Sequence, residues 1–179
     1  ENLAYGDLLD RSAAIHRDNI AVVDGRTRLT YKALKAQTDR FAFALLGVGI
    51  SPHDRILLQL PNRFEFVVAL YGLWKMGAVP VLAVPRHGHH EISTFLSLTG
   101  AVGWILPDRD GKTEYRPLID RIRSRFKGLK HIIMPEEASA LPGALSMDRL
   151  IRDAAPGDDA EECLKRYRPD PNDVAVLIP

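Results

Sequence analysis

Hydrophobic and polar positions alternate in blocks along the chain, and the clearest block runs from Arg55 to Pro85. Ile56-Leu57-Leu58-Gln59-Leu60 is a short apolar run closed by Pro61-Asn62, which predicts a strand and its turn. From Phe64 to Met76 almost every position is apolar, so the predicted helix has no wide polar face and belongs in an interior. Gly77 stands where a helix C-terminus favours glycine. Val79 to Val84 is again continuously apolar, as in a parallel strand buried on both faces. Two such strands joined by a helix form a right-handed crossover unit.

The flanking pattern extends this layout. Tyr5–His16 predicts a helix with Leu8, Leu9, Ala13 and Ile15 inward. Ile20–Val23, the turn pair Asp24-Gly25 and Arg28-Leu29 predict a hairpin. Thr30 is a good N-cap for a helix with Leu34, Thr38, Phe41, Ala42 and Leu45 on its inner face. Lys32, Lys35, Gln37, Asp39 and Arg40 fall on the outer one. Further on, Glu91–Leu98 predicts a short helix with Ile92, Phe95, Leu96 and Leu98 inward, and Ala101–Leu106 a third strand. Tyr115–Phe126 predicts an amphipathic helix directing Leu118, Ile119, Ile122 and Phe126 inward, followed by a fourth strand at His131–Met134. Residues 135–172 read as an irregular connector, with a short helix capped by Ser146, before a strand-like run from Val174. Helices alternating with four apolar strands imply an α/β fold: a layered, largely parallel sheet with flanking helices.

Composition narrows the function classes. With 46% hydrophobic and 26% charged residues, the 179-residue chain has an ordinary globular make-up. A net charge of +1 gives no bias toward nucleic acid or an anionic membrane. No run of about 18 apolar residues occurs, so no membrane-spanning helix is expected. The single cysteine, Cys163, excludes an internal disulfide and fits a reducing, cytoplasmic setting. The start at Glu1 and the strand-like end at Pro179 suggest a fragment of a longer protein.

Candidate chemistry is sparse. His87, His89 and His90 invite a metal site, but their spacing matches no standard ligand motif, and a polar loop leading into a helix explains them better. Asp108 and Asp110 pair in a turn, for which turn chemistry is sufficient. Arg116, Arg121, Arg123, Arg125 and Lys127 form a basic helix face of the kind that is usually solvated. The chain contains no Gly-rich dinucleotide fingerprint, phosphate-binding Walker sequence or nucleophile elbow.

Two local patterns resemble the acyl-adenylate-forming superfamily. Leu29-Thr30-Tyr31-Lys32-Ala33-Leu34 is similar to its first core motif, and Leu73-Trp74-Lys75-Met76-Gly77-Ala78-Val79-Pro80-Val81 to its second. Gly77 to Pro85 followed by His90-Glu91-Ile92, with Tyr115-Arg116-Pro117-Leu118 and Leu129 to Ile133, resembles the aryl-acid branch. That branch comprises 2,3-dihydroxybenzoate–AMP and salicylate–AMP ligases of siderophore synthesis. The resemblance implies that residues 1–179 form part of an N-terminal AMP-binding domain. It implies ATP and Mg²⁺ as cofactors, an aryl acid as substrate and the phosphopantetheine of an aryl carrier protein as acceptor. It carries no catalytic, cofactor-binding or metal-binding residue onto this sequence, because the family's phosphate loop follows a strand like Asp173–Ile178. An acyl- or aryl-CoA ligase of the same superfamily and a non-catalytic α/β binding module remain as alternatives.

Overall fold

Side-chain alternation along the strands divides the protein into two cores, one on each face of a central sheet. The computed structural model describes residues 3–135, 141–154 and 160–179. In chain order the elements are α1 (Tyr5–Ile15), β1 (Ile20–Asp24), β2 (Thr27–Thr30), α2 (Tyr31–Gly47), β3 (Arg55–Leu58), α3 (Phe64–Lys75), β4 (Val79–Leu82) and α4 (His89–Thr99). These are followed by β5 (Gly103–Ile105), β6 (Arg109–Asp110), β7 (Thr113–Glu114), α5 (Arg116–Arg125), β8 (His131–Met134), β9 (Ala144–Ser146), α6 (Met147–Asp153) and α7 (Ala160–Arg166).

Five parallel strands form the central sheet in the order β4-β3-β5-β8-β9. Ile56 and Leu58 of β3, Ile105 of β5 and Ile133 of β8 enter the core shared with α2 and α3. Leu57, Trp104, Ile132 and Met134 enter the opposite core with Ile92 and Phe95 of α4 and Ile119 and Ile122 of α5. A strand covered on both faces must be apolar at successive positions, which accounts for the continuous runs in the sequence. Leu177 adds a parallel bridge to Val81 on the outer side of β4. Its N–H donates to Pro80 at 2.9 Å and its carbonyl accepts from Leu82 at 2.9 Å.

Helix α3 has no exposed residue. Its first N–H groups have no capping side chain on Arg63; the Asp24 carboxylate accepts from Phe64 N at 3.0 Å instead. The hairpin turn thus caps a helix forty residues away in sequence. At the other end Gly77 adopts φ 76°, and a Cβ there would lie 2.8 Å from the Tyr167 carbonyl oxygen. Thr30 caps α2 as the sequence predicts, its hydroxyl accepting from Ala33 N at 3.1 Å. Leu34, Thr38, Phe41, Ala42 and Leu45 are the buried residues of that helix.

Several expectations change. Leu8, Ile15 and Leu98 are exposed rather than inward, because Leu9 and Ala13, or Ile92, Phe95 and Leu96, already fill the inner stripe of their helices. The stretch 135–172, read as irregular, contains β9, α6 and α7. Ala144, Leu145 and Ser146 of β9 carry no β-branched or aromatic side chain, so their pairing with Ile132, Ile133 and Met134 left no local signature. The expected helix at Ser146 is α6, with the Ser146 hydroxyl accepting from Arg149 N at 3.1 Å. The strand-like run after Asp173 makes one bridge, at Leu177, rather than a strand. Val84 is 55% exposed because the chain leaves the sheet after Ala83, whose N–H makes the last ladder bond to Leu58 O.

Candidate functional site

The strand order places the second strand of the sheet, β4, on one side of the first, β3, and all later strands on the other. Open α/β sheets bind ligands at such a switch point, in the crevice outside the strand carboxyl ends. Here that edge comprises Gln59-Leu60 after β3, Ala83 to His87 after β4 and Leu106-Pro107 after β5. The ladder continues one step beyond the strands: Gln59 N donates to Ile105 O at 2.8 Å, Ala83 N to Leu58 O at 3.0 Å and Leu106 N to Ile133 O at 3.1 Å.

Gln59 is wholly buried. Its Nε2 donates to the carbonyls of His87 (2.8 Å), Val84 (3.2 Å) and Pro85 (3.4 Å). The Tyr115 hydroxyl also donates to Pro85 O, at 3.0 Å. Burial, with a smaller contribution from Asp110, raises the Tyr115 pKa, so the phenol stays a neutral donor. Two buried polar atoms at this edge, Gln59 Oε1 and His87 Nδ1, have no hydrogen-bond partner among the described residues.

The three histidines occupy different surroundings. His87 places its ring edge-on to Phe95, 5.1 Å between centroids. His89 is held below the usual histidine pKa by desolvation and then by Arg121, Arg125 and His90. His90 is exposed. Glu91 closes the helix start, accepting from Gly88 N at 3.0 Å, and backbone N–H donation from Glu91 itself and from Gly88 lowers its pKa. Helix α4 begins at His89, two residues before the expected Glu91, because the Glu91 carboxylate reaches back to the backbone N–H of Gly88 and so includes the histidines in the first turn. Among the described residues no three His, Cys, Asp or Glu side chains come together to hold a metal.

Asp108 accepts from Arg116 Nε at 3.2 Å, and Asp110 belongs to the β6–β7 hairpin, so both acids serve the turn. On the basic helix, Arg123 donates to Pro142 O at 3.1 Å and the Arg125 guanidinium lies 5.6 Å from the Phe126 ring centroid. Arg121 and Lys127 are exposed. Cys163 is half-buried on α7.

A polar cluster that local sequence reasoning missed lies at the opposite, amino end of the strands. Lys75, 7% exposed, ion-pairs with Asp10 of α1 and Asp39 of α2. Lys35 pairs with Asp39 at 2.7 Å, Asp10 at 3.5 Å and Glu161 at 3.6 Å. Burial opposes the Lys35 charge, but the Asp39 hydrogen bond and the three carboxylates outweigh it and raise its pKa. Lys35 and Asp39 therefore face a cleft of about 280 Å³ rather than open solvent. The one available signal was Lys75 itself, a lone cation in an apolar helix, since a buried charge requires partners. At the amino end, with its charges mutually paired, this cluster ties helices together.

A family model described as "AMP-binding enzyme" matches residues 9–179. The chain belongs to the AMP-binding enzyme family. It is 38% identical over 134 residues to a 2,3-dihydroxybenzoate-AMP ligase of Bacillus subtilis (strain 168), an alignment covering 75% of this chain and 25% of that relative. It is 35% identical over 167 residues to a salicyl-AMP ligase / salicyl-S-ArCP synthetase of Mycobacterium tuberculosis, covering 90% and 28% respectively. The apo structure of Mycobacterium smegmatis MbtA superposes with a TM-score of 0.86 at 32% identity, over 99% of this chain and 31% of that one. The chain thus spans between a quarter and a third of the length of these family members.

Proposed function

We propose that this chain is the N-terminal part of the large domain of an ATP-dependent aryl-acid–AMP ligase. The observation that carries the reading is the alignment, at 35% identity or above, with two relatives whose names specify 2,3-dihydroxybenzoate and salicylate adenylation. In the reaction, an aryl carboxylate oxygen attacks the α-phosphorus of ATP. A new C–O–P link forms, the α–β phosphoanhydride breaks and pyrophosphate leaves. The pantetheine thiol of an aryl carrier protein then takes the acyl group and releases AMP, in a cytoplasmic route to a siderophore. The described residues serve this as a scaffold: a doubly covered sheet presents a carboxyl edge, and Leu177 runs parallel to β4 toward that edge. The groups that stabilise charge on the phosphates and hold Mg²⁺ belong to the rest of the protein.

Pyrophosphate exchange into ATP by the full-length protein, with 2,3-dihydroxybenzoate or salicylate, tests the reading. Acid-dependent exchange and subsequent loading of an aryl carrier protein are expected. No exchange with any aryl acid would refute it, and efficient transfer to free coenzyme A in place of the carrier would move the protein to the CoA-ligase group. The 179-residue chain alone is expected to show no exchange.

A further inference from the structure

We propose that Gln59 and Tyr115 are positioning residues of the adenylation site, which fix residues 84–88 as a wall of that site at the carboxyl edge of the sheet. The inference rests on the function proposed above and adds residues to it. The Gln59 amide has one workable orientation. Three carbonyls, of Val84, Pro85 and His87, lie within 3.4 Å of Nε2, and turning the amide over would place Oε1 against all of them. Pro85 O is held a second time by the Tyr115 hydroxyl, which arrives from the start of α5 while Gln59 arrives from the end of β3. The loop also closes on itself through His87 N to Val84 O at 3.0 Å, and Glu91 caps Gly88 N.

Packing alone would favour an apolar residue at position 59. Its neighbours Leu58 and Leu60 are buried, and Oε1 has no donor among the described residues. What the amide supplies is therefore loop geometry. While the loop backbone is held from two sides, Val84 and Arg86 remain exposed. Locked backbone beneath exposed side chains, beside the switch point, is the arrangement of a recognition loop on a rigid frame.

The test compares full-length wild type with Gln59→Met and Tyr115→Phe. Hydrogen exchange at the hydrogen-bonded amides of His87 and Gly88 is expected to quicken by about ten-fold in each variant, as local opening becomes easier. KM for ATP or for the aryl acid is expected to rise about five-fold or more, with kcat held within about two-fold, the mark of lost binding geometry rather than lost active protein. Unchanged exchange in both variants would overturn the proposal. So would faster exchange with both KM values unchanged, or a fall in kcat alone, which is what a merely destabilised fold would give. Wild-type protein without acid-dependent exchange would instead remove the functional reading, and with it this role, even if the loop proved clamped.

Discussion

Replacing Lys75 with Met tests what holds the amino end of the fold together. The substitution keeps the length of the stem, which packs against the Gly6 backbone, and removes only the charge. Two carboxylates lose their buried partner: Asp39, with 18% of its side chain exposed, and Asp10, with 40%. Breaking a fully buried pair costs about 3–5 kcal/mol. Two features lower that figure here. Asp10 can rehydrate, and Lys35 still reaches Asp39 at 2.7 Å and Asp10 at 3.5 Å. A loss of about 2–3 kcal/mol is therefore expected. Urea unfolding of the chain, followed by the fluorescence of Trp74 and Trp104, measures it; Trp104 is fully buried and Trp74 donates to Ala175 O at 2.7 Å, so both report loss of tertiary structure. A double-mutant cycle with Asp39→Asn should give a coupling of about 1 kcal/mol or more. A loss under about 0.5 kcal/mol with no coupling would show that the cluster is a solvated surface feature, and the argument from burial would fail.

Gly77→Ala should cost about 1–2 kcal/mol for the left-handed backbone alone, with the contact against Tyr167 O added to it, whereas Gly49→Ala (φ 89°, with no atom within 4 Å) should cost the backbone term only. Equal losses in parallel urea titrations would remove the close approach from the account. Thr30→Ala should cost about 1 kcal/mol, measured in the same way, because the Ala33 N–H loses its cap. His131 has its pKa lowered by burial and by Lys130, against a smaller opposing effect of Asp54, so the unfolded chain binds its proton first on acidification. Its contribution is present above about pH 6.5 and is lost as pH falls through that value toward the folded pKa. Urea midpoints at successive pH values should show this decline in wild type and a flatter curve in His131→Asn; identical curves would refute it.

The strands and their helices were legible because burial on both faces writes the same message at every position. Ile56 to Leu58 feeds two cores in turn, and its short length and the Pro61-Asn62 turn after it set it apart from a buried helix such as α3. Strand order was not legible, since nothing in β4 or β5 states on which side of β3 it pairs. Nor was β9, whose pairing is a property of its neighbour β8. The Lys75 cluster joins residues 65 and 36 positions apart, beyond any periodicity. At the candidate site, Gln59 was legible only as part of an apolar strand run, because its polar partners are carbonyls 25 to 28 residues downstream. The family motifs were legible for a related reason. Leu73 to Val81 spans the α3–β4 corner, where Gly77 tolerates no side chain and Lys75 must find carboxylates.

Helix α3 links the two ends of the sheet, and the contacts at its termini differ in kind. Its N-terminus is capped by Asp24, and its C-terminus is fastened by Lys75 and by the turn at Gly77. Its middle is closely packed: a Cβ at Gly72 would lie 2.9 Å from Phe41. A helix fixed at both ends and packed between them cannot shift without breaking contacts, so the crossover it forms sets the position of β4 and the origin of the loop that follows. Stability and site geometry then separate by location. Lys75→Met acts at the amino end on the free energy of the whole unit, and in the full-length protein it should lower the active fraction and leave KM unchanged. Gln59→Met acts at the carboxyl edge on one loop and should raise KM. If Lys75→Met moved KM as much as Gln59→Met does, the crossover would not be the rigid frame that its packing implies.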